Sequence, residues 1–182
     1  MNRTSLFRIC AFLCAIAVLN VAAPAQQKKT PNPTDQAVLL GQFGEWGAYR
    51  ATPGGKKVCF ALSKPTSAAS EPTGRTRDPS YAFVSTRPIE KVKNEVSVIV
   101  GYPQKPGHDA TAAVGSTTYS MYTQNDGAWV KNAAEEAQMV ETMRRGSDLI
   151  VKSESARGTK TTDTYSLKGI AQALDKVAEE CK

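Results

Sequence analysis

Short stretches of alternating apolar and polar residues run through most of the chain from residue 45 onward. Side chains of a β-strand point alternately to two faces, so this alternation predicts half-buried strands. The clearest stretch is residues 95–102, where valines at positions 96, 98 and 100 alternate with Ser97 and Ile99. The same pattern predicts strands over residues 46–50, 58–62, 81–86, 110–114, 117–123, 128–130, 149–151 and 159–167. Residues 64–79 are rich in Pro, Ser and Thr, and we predict a long loop there.

Two segments carry the longer period of a helix instead. Asn132 is placed to cap the first helix, with Glu135 three residues later and Gly146 at its end. The second helix is predicted to start near Ser166 and to run to the C-terminus. The predicted apolar stripe of the first helix is Ala133, Ala137, Met139, Val140 and Met143, and that of the second is Ile170, Leu174, Val177, Ala178 and Cys181.

The order of these elements predicts an α+β protein that is mainly β. Many short strands precede one internal helix, a hairpin and a C-terminal helix, which favours an antiparallel sheet or a β-sandwich with both helices packed on it. A doubly wound fold needs regular alternation of strands and helices, and this chain lacks it. We expect Trp46 and Trp129 to anchor the core, since large aromatic side chains dominate core packing.

The first 25 residues have the order of a secretory signal peptide. Arg3 and Arg8 precede a short apolar run, and Ala23-Pro24-Ala25 forms a small-residue cleavage site. We therefore predict a signal peptide over residues 1–25, a flexible polar leader over 26–42 and a single domain over 43–182. The expected location is periplasmic or secreted, with no transmembrane segment after signal cleavage, since the apolar run is too short to span a bilayer.

The cysteine content fits an oxidising compartment. Cys10 and Cys14 leave with the signal, so the mature chain keeps only Cys59 and Cys181. We predict a disulfide between them, because a helix cysteine on the apolar stripe can meet a strand cysteine. Two buried free thiols remain an alternative, whereas a redox pair is typically a C-x-x-C motif.

The charge of the chain is mildly basic. Removing Arg3 and Arg8 from the 23 basic residues leaves 21 against 17 acidic ones. Lysines and arginines are scattered in pairs and do not form a stripe interleaved with aromatic residues, so we predict no nucleic-acid partner. An anionic envelope surface is the partner that this charge fits best.

The common catalytic motifs are missing from the sequence. His108 is the only histidine and lies in a Pro/Gly loop, which argues against a Ser-His-Asp triad and against zinc. We predict no catalytic residue, no metal and no cofactor. A pair of loop carboxylates is the remaining enzymatic possibility, since glycosidases need only two acids. The candidates are Asp78, Glu95, Asp109, Asp126 and Asp163.

A denser polar cluster suggests a binding surface. Arg75, Arg77, Arg87 and Tyr81 surround the predicted loop and the strand after it, and arginine forks suit carboxylate or phosphate recognition. We name these four as candidate partner-binding residues. The alternative is structural, with Asp78 opening a turn and pairing with a nearby arginine.

Several segments together resemble the invasion-associated locus B family, in order and with similar spacing from about Phe43 to the C-terminus. They are residues 44–47 (GEWG), 58–60 (VCF), 77–79 (RDP) with Tyr81, 85–88 (STRP), 94–97 (NEVS), 101–103 (GYP), 122–123, 128–129, 146–147, 155–159 (SARGT), 161–167 and Cys181. The resemblance implies an exported protein of the kind found in alphaproteobacteria. The family takes its name from a locus linked to the entry of a pathogen into red blood cells, and the resemblance brings no catalytic residue with it.

The sequence therefore predicts an exported, non-enzymatic cell-envelope protein that acts through binding. The alternative is a periplasmic domain that binds or processes carbohydrate with loop carboxylates. An envelope protein, a host protein and a glycan all stay open as partners.

Overall fold

The computed structural model describes residues 37–182, which form eleven strands and two α-helices. The mainly β class predicted from the alternation is confirmed. The strands are β1 (Val38–Phe43), β2 (Trp46–Ala51), β3 (Val58–Ser63), β4 (Ser67–Glu71), β5 (Tyr81–Arg87), β6 (Val92–Ile99), β7 (Ala110–Val114), β8 (Thr117–Gln124), β9 (Gly127–Val130), β10 (Asp148–Glu154) and β11 (Lys160–Ser166). The helices are α1 (Ala133–Arg145) and α2 (Ile170–Glu180).

All eleven strands belong to one antiparallel sheet, in the order β1-β2-β3-β5-β6-β9-β8-β7-β10-β11-β4. A twisted sheet of this size curls, because every strand is rotated against its neighbour. The curl brings β2 close to the end of β11. The indole N–H of Trp46 donates to the carbonyl oxygen of Ser166 at 2.9 Å, and the backbone N–H of Glu45 donates to the carbonyl of Lys168 at 3.0 Å.

Both helices pack on the inner face of this curled sheet. Helix α2 contacts β1, β2, β3 and β5, while α1 contacts β6, β7 and β9. The main hydrophobic core lies between the two helices and the inner face of the sheet, and it includes Trp46, Met139 and Leu174. Asn132 caps α1 as predicted, its side chain accepting the backbone N–H of Glu135 at 2.9 Å.

A disulfide joins Cys59 on β3 to Cys181 just after α2, with the two Cα atoms 6.0 Å apart. The bridge spans 122 residues of sequence, and closing a loop of that length stabilises a fold by about 4–5 kcal/mol in chain-entropy terms. Glu180, beside it, pairs with Lys57 at 3.1 Å and Arg50 at 3.2 Å. The end of α2 is therefore fixed to β2 and β3 by a covalent bond and by ion pairs.

The outer face of the sheet carries a second apolar cluster. Phe60, Leu62 and Tyr81 are buried there against one another, and the ring of Tyr49 stacks on that of Phe60 with centroids 5.4 Å apart. This cluster lies on the face of β3 opposite to Cys59 and the core.

The structure corrects several predicted boundaries. Residues 38–42, assigned to the leader, form most of β1, because their backbone pairs with β2. The predicted loop over residues 64–79 contains β4, which pairs with β11. Helix α2 begins at Ile170 and not near Ser166, because Ser166 still pairs with Asp148 as the last residue of β11.

Some predicted core positions are exposed. Ala133 and Ala137 on α1 and Ala178 on α2 are exposed. The buried face of each helix therefore covers fewer positions than the predicted apolar stripe. Trp46 is fully buried, as predicted. Trp129 is not part of the core: its ring lies over Gly127 and stacks on exposed Tyr122 at 5.6 Å between centroids.

Candidate functional site

A polar cleft of about 670 Å³ opens where β4 ends the sheet. We call it the first cleft. Its walls are β4, the loop after β4, the turn after β6 and the tip of the β10–β11 hairpin. Its lining residues are Ala68, Ala69, Ser70, Arg75, Thr76, Arg77, Asp78, Gly101, Tyr102, Pro103, Ser155, Ala156, Arg157, Thr159 and Thr161. Pockets for small ligands commonly enclose roughly 300–1,000 Å³, so this cleft has room for one.

Gly101 fixes the loop after β4 against the turn after β6. The backbone N–H of Asp78 donates to the carbonyl oxygen of Gly101 at 3.1 Å. Gly101 has a φ of 77°, and a Cβ at this position would lie 2.1 Å from the Asp78 carbonyl oxygen. A side chain at position 101 would therefore push the loop away from the cleft.

An ion pair forms the floor of the first cleft. The guanidinium of Arg77 holds both carboxylate oxygens of Asp163, one of them at 2.8 Å, and also donates to the Val100 carbonyl at 2.9 Å. Asp163 is 1% exposed. Burial lowers the pKa of Arg77, but the Asp163 carboxylate outweighs burial, and the pKa lies above its ordinary value. The Arg77 guanidinium therefore stays charged at any physiological pH.

Hydroxyl groups complete the network around this ion pair. The Ser80 hydroxyl donates to Asp163 at 2.9 Å and lies 2.5 Å from the hydroxyl of Tyr165. Burial raises the pKa of the Tyr165 phenol well above its ordinary value. Within residues 37–182, every buried side-chain nitrogen or oxygen has a hydrogen-bond partner. The floor is thus a satisfied polar network that supports the cleft.

Two arginines stand above this floor without an acidic partner. Arg75 and Arg157 line the first cleft and are exposed. Neither forms an ion pair with any acid in the described part of the chain. Each guanidinium therefore has donors that no acid among residues 37–182 occupies, and these donors suit an anionic ligand.

A second polar cleft, of about 370 Å³, shares Ala69, Ser70 and Thr161 with the first. We call it the second cleft. Its other lining residues are Glu71, His108, Asp109, Thr111, Lys152, Ser153, Glu154, Lys160 and Thr162. Lys152 and Lys160 are exposed, and neither is ion-paired within residues 37–182.

Two acids of the second cleft are neutralised by lysines. Glu154 accepts from Lys105 at 2.9 Å, and Asp109 accepts from Lys131 at 2.5 Å and from Ser120 at 2.9 Å. These hydrogen bonds lower the pKa of both carboxyl groups. A general acid of a glycosidase needs a raised pKa, so neither group is tuned for that role.

The structure divides the four residues predicted to bind a partner. Arg75 and Arg77 line the first cleft, but Arg77 is occupied by Asp163 and not, as one alternative held, by Asp78. Tyr81 is 8% exposed and packs in the outer apolar cluster, with the Lys64 ammonium 5.8 Å from its ring centroid. These three residues have different surroundings, although they lie within seven positions of one another.

Arg87 lies at the far end of β5, six residues from Tyr81 and thus about 20 Å away at 3.3 Å per residue. Its guanidinium binds both oxygens of Glu95 at 2.8 Å and one oxygen of Glu90 at 2.7 Å. The hydrogen bonds to Glu95 raise the pKa of Arg87 despite its partial burial. Arg87 therefore has partners within the fold and does not contribute to the cleft.

The five candidate carboxylates are not gathered in one cleft. Asp78 lines the first cleft and Asp109 the second, while Asp163 lies beneath the first as the partner of Arg77. Glu95 pairs with Arg87, and Asp126 lies in the turn between β8 and β9.

Sequence reasoning missed three basic residues of the clefts, Lys152, Arg157 and Lys160. All three belong to the β10–β11 hairpin, on its strands or in its turn. The sequence does show basic residues on both sides of the Arg157-Gly158 turn. These residues could be assigned to a cleft only once β4 was known to pair with β11 and to form the cleft wall.

Two further findings bear on the type of site. Within residues 37–182, no group of three or more His, Cys, Asp or Glu side chains is arranged to hold a metal ion. No helix in this part of the chain is long and apolar enough to cross a membrane. The predicted signal peptide lies outside the described residues.

The fold and the clefts define a small, disulfide-linked antiparallel β protein with a basic polar cleft at one end of its sheet. The family model described as Invasion associated locus B (IalB) protein matches residues 48–178, and the chain belongs to that family. No curated protein and no solved structure matches the chain significantly. Three of the segments that carry the resemblance, residues 77–79, 101–103 and 155–159, meet at the first cleft.

Proposed function

We propose that this chain is an exported cell-envelope protein that acts by binding an anionic partner in the first cleft, and that it is not an enzyme. The observation that carries the proposal is the pair of exposed arginines, Arg75 and Arg157, above a floor whose own charges are already satisfied. Arginine is suited to carboxylates and phosphates, because its planar fork donates two parallel hydrogen bonds.

The floor explains why the two arginines remain available. Asp163 would attract any free guanidinium nearby, but Arg77 binds both of its oxygens. Asp78 is the only carboxylate among the described residues that line the first cleft, and it forms no ion pair with them. Arg75 and Arg157 are two unpaired cations in the same cleft. The cleft therefore keeps a net positive charge that complements an anion.

Export is supported by three observations. The N-terminal residues have the order of a signal peptide, the two cysteines that follow form a disulfide, and the chain belongs to the IalB family. Disulfides persist in oxidising compartments such as the periplasm. We place the protein in the periplasm or outside the cell, with a mature chain that starts at Gln26 and a polar leader before the domain.

Binding without catalysis is favoured over the hydrolase alternative. Hydrolysis of a glycosidic bond needs a protonated carboxyl group opposite a carboxylate. The cleft acids Glu154 and Asp109 have lowered pKa values, and Asp163 is held by Arg77 beneath the first cleft.

The test measures binding of the exported chain to isolated envelope fragments. Arg75→Ser/Arg157→Ser should weaken binding about tenfold or more, since hydrogen bonds to charged groups contribute roughly 1.5–3 kcal/mol each. The matched control is Lys93→Ser/Arg145→Ser, which removes two exposed positive charges outside both clefts and should bind like wild type. Equal loss in both variants would show that net charge, not the cleft, binds the envelope. New reducing ends in the fragments would contradict the non-enzymatic proposal.

A further inference from the structure

The two clefts adjoin, because Ala69, Ser70 and Thr161 line both of them. Each contains two exposed basic side chains with no ion pair among the described residues. They are Arg75 and Arg157 in the first cleft and Lys152 and Lys160 in the second. Glu71 and Asp78 are the described lining acids without an ion pair, so four cations face two anions across the joined clefts.

The β10–β11 hairpin sets the spacing of three of these cations. Lys152 pairs with Thr162 across the hairpin, and Lys160 pairs with Glu154. Arg157 lies in the turn between the strands. Lys152 is three residues before the turn begins at Ser155, which is about 10 Å at 3.3 Å per residue. Lys152 and Lys160 therefore lie on the same face of the hairpin, two positions apart along it, and Arg157 lies at its tip.

The remaining lining side chains favour a sugar polymer over a nucleic acid. Hydroxyl groups that both donate and accept hydrogen bonds line both clefts. Those of Ser70, Thr76, Thr111, Thr159 and Thr162 are at least partly exposed, while those of Ser153, Ser155 and Thr161 are buried. Single-stranded nucleic acids are bound on exposed aromatic rings. Tyr102 is the one Phe, Tyr or Trp among the described lining residues. Its ring centroid lies 5.8 Å from the Arg77 guanidinium, and its hydroxyl lies 2.5 Å from that of Thr161.

We infer that the partner is a linear acidic polysaccharide, whose successive anionic groups lie in both clefts at once. This inference rests on the proposed function, since the first cleft supplies the primary anion site. The second cleft adds a second contact on the same chain. Linked contacts of this kind raise affinity, because the second binding event becomes intramolecular.

The experiment titrates the exported chain with galacturonate monomer, tetramer and octamer. Maltooctaose serves as the uncharged control, and an eight-residue polyglutamate as a polyanion without sugar. Three double variants accompany wild type: Arg75→Ser/Arg157→Ser in the first cleft, Lys152→Ser/Lys160→Ser in the second, and Lys93→Ser/Arg145→Ser outside both. All six substituted side chains are exposed, and far-ultraviolet circular dichroism and melting temperature check that each variant folds.

We expect the octamer to bind wild type about tenfold or more tightly than the monomer does. Replacing the two lysines should bring the affinity for the octamer down toward that for the monomer, whereas replacing the two arginines should weaken binding of both by about tenfold or more. Binding of all charged oligomers should weaken as salt rises, since exposed charges are screened.

The outcomes separate this inference from the proposed function. Monomer binding that needs the arginines but does not increase with length would overturn the inference and leave the proposed function standing. No dependence of any binding on Arg75 and Arg157 would overturn both. Polyglutamate or maltooctaose binding as tightly as the acidic octamer would reject an acidic polysaccharide as the partner.

Discussion

Arg75 and Arg77 are two positions apart in the sequence and have different physical roles. Arg77 donates hydrogen bonds to Asp163 and to a backbone carbonyl, while Arg75 is exposed and lines the same cleft. The side chain of Arg77 is only 17% exposed. Grouping arginines by sequence distance alone therefore joins a residue that supports the fold to one that we propose binds the partner.

We predict that Arg77→Ala destabilises the fold by about 3 kcal/mol or more, because removing one partner leaves the buried Asp163 carboxylate without its counter-charge. Arg75→Ser should change the unfolding free energy by no more than about 0.5 kcal/mol, as is usual for exposed positions. Urea unfolding followed by tryptophan fluorescence measures both. The double variant Arg77→Met/Asp163→Leu should recover part of the loss, since neither charge is then left alone.

A double variant as unstable as Arg77→Ala would contradict this account of the ion pair. The pair was not predictable from the sequence, because Arg77 and Asp163 are 86 residues apart. Asp78 was the nearest acid and therefore the natural guess. The contact depends on β11 lying beside β4 and beneath the loop that carries Arg77, which only the folded sheet provides.

Element by element, the alternation of side chains predicted most strands but not which face would be covered. On β3, Val58, Phe60 and Leu62 form the more apolar face, yet they lie on the outer side. Cys59 and Ala61 point to the core. Their small side chains let α2 pack closely on this part of the sheet, and Cys59 then reaches Cys181.

Strand β4 was missed for a related reason. Its sequence, Ser-Ala-Ala-Ser-Glu, has no large apolar side chain, and most of it is exposed. Backbone pairing with β11 from Ser67 to Glu71 determines the strand. A strand held by backbone hydrogen bonds at the end of a sheet leaves almost no hydrophobic pattern to read. Because β4 forms a wall of both clefts, the candidate site could not be assembled from the sequence.

The attachment of α2 should depend on pH through Glu180. Hydrogen bonds from Lys57 and, less strongly, from Arg50 lower the pKa of this carboxyl group below its ordinary 4.5. A lowered folded-state pKa gives stability that is present above pH 4.5 and is lost as the pH falls through the folded-state value. We therefore predict that Glu180→Gln lowers the urea midpoint at pH 7 and that the two midpoints converge in acid, below pH 4.5.

The matched control is Glu179→Gln, which removes a neighbouring exposed carboxylate that pairs with Lys176 on the same helix. It should leave the connection between α2 and the sheet unchanged. A constant difference between wild type and Glu180→Gln from pH 7 to pH 3 would show that Glu180 acts through packing and not through its charge.

At the scale of the whole molecule, the disulfide links the fold to the compartment in which the protein can form it. The disulfide joins the third strand to the last helix and so encloses most of the domain. A bridge of this kind needs an oxidising compartment to form and persist. The sequence predicted it from two observations: Cys59 and Cys181 are the only cysteines left once the predicted signal is removed, and Cys181 lies on the apolar stripe of the last helix.

The last prediction concerns export. When the full chain is expressed in a bacterium with a working secretory pathway, we expect the recovered protein to start at Gln26 and Cys59 and Cys181 to resist alkylation until a reductant is added. Leu13→Arg places a charge in the apolar run of the signal, so that variant should stay in the cytoplasm, start at Met1 and react with thiol reagents in its reduced state. Mass spectrometry of the N-terminus and of the alkylated peptides measures both properties.

An envelope fraction that still starts at Met1 would contradict signal cleavage, and a start at Pro24 would move the cleavage site. Wild-type protein that starts at Gln26 but reacts fully with thiol reagents would show that export does not oxidise the pair.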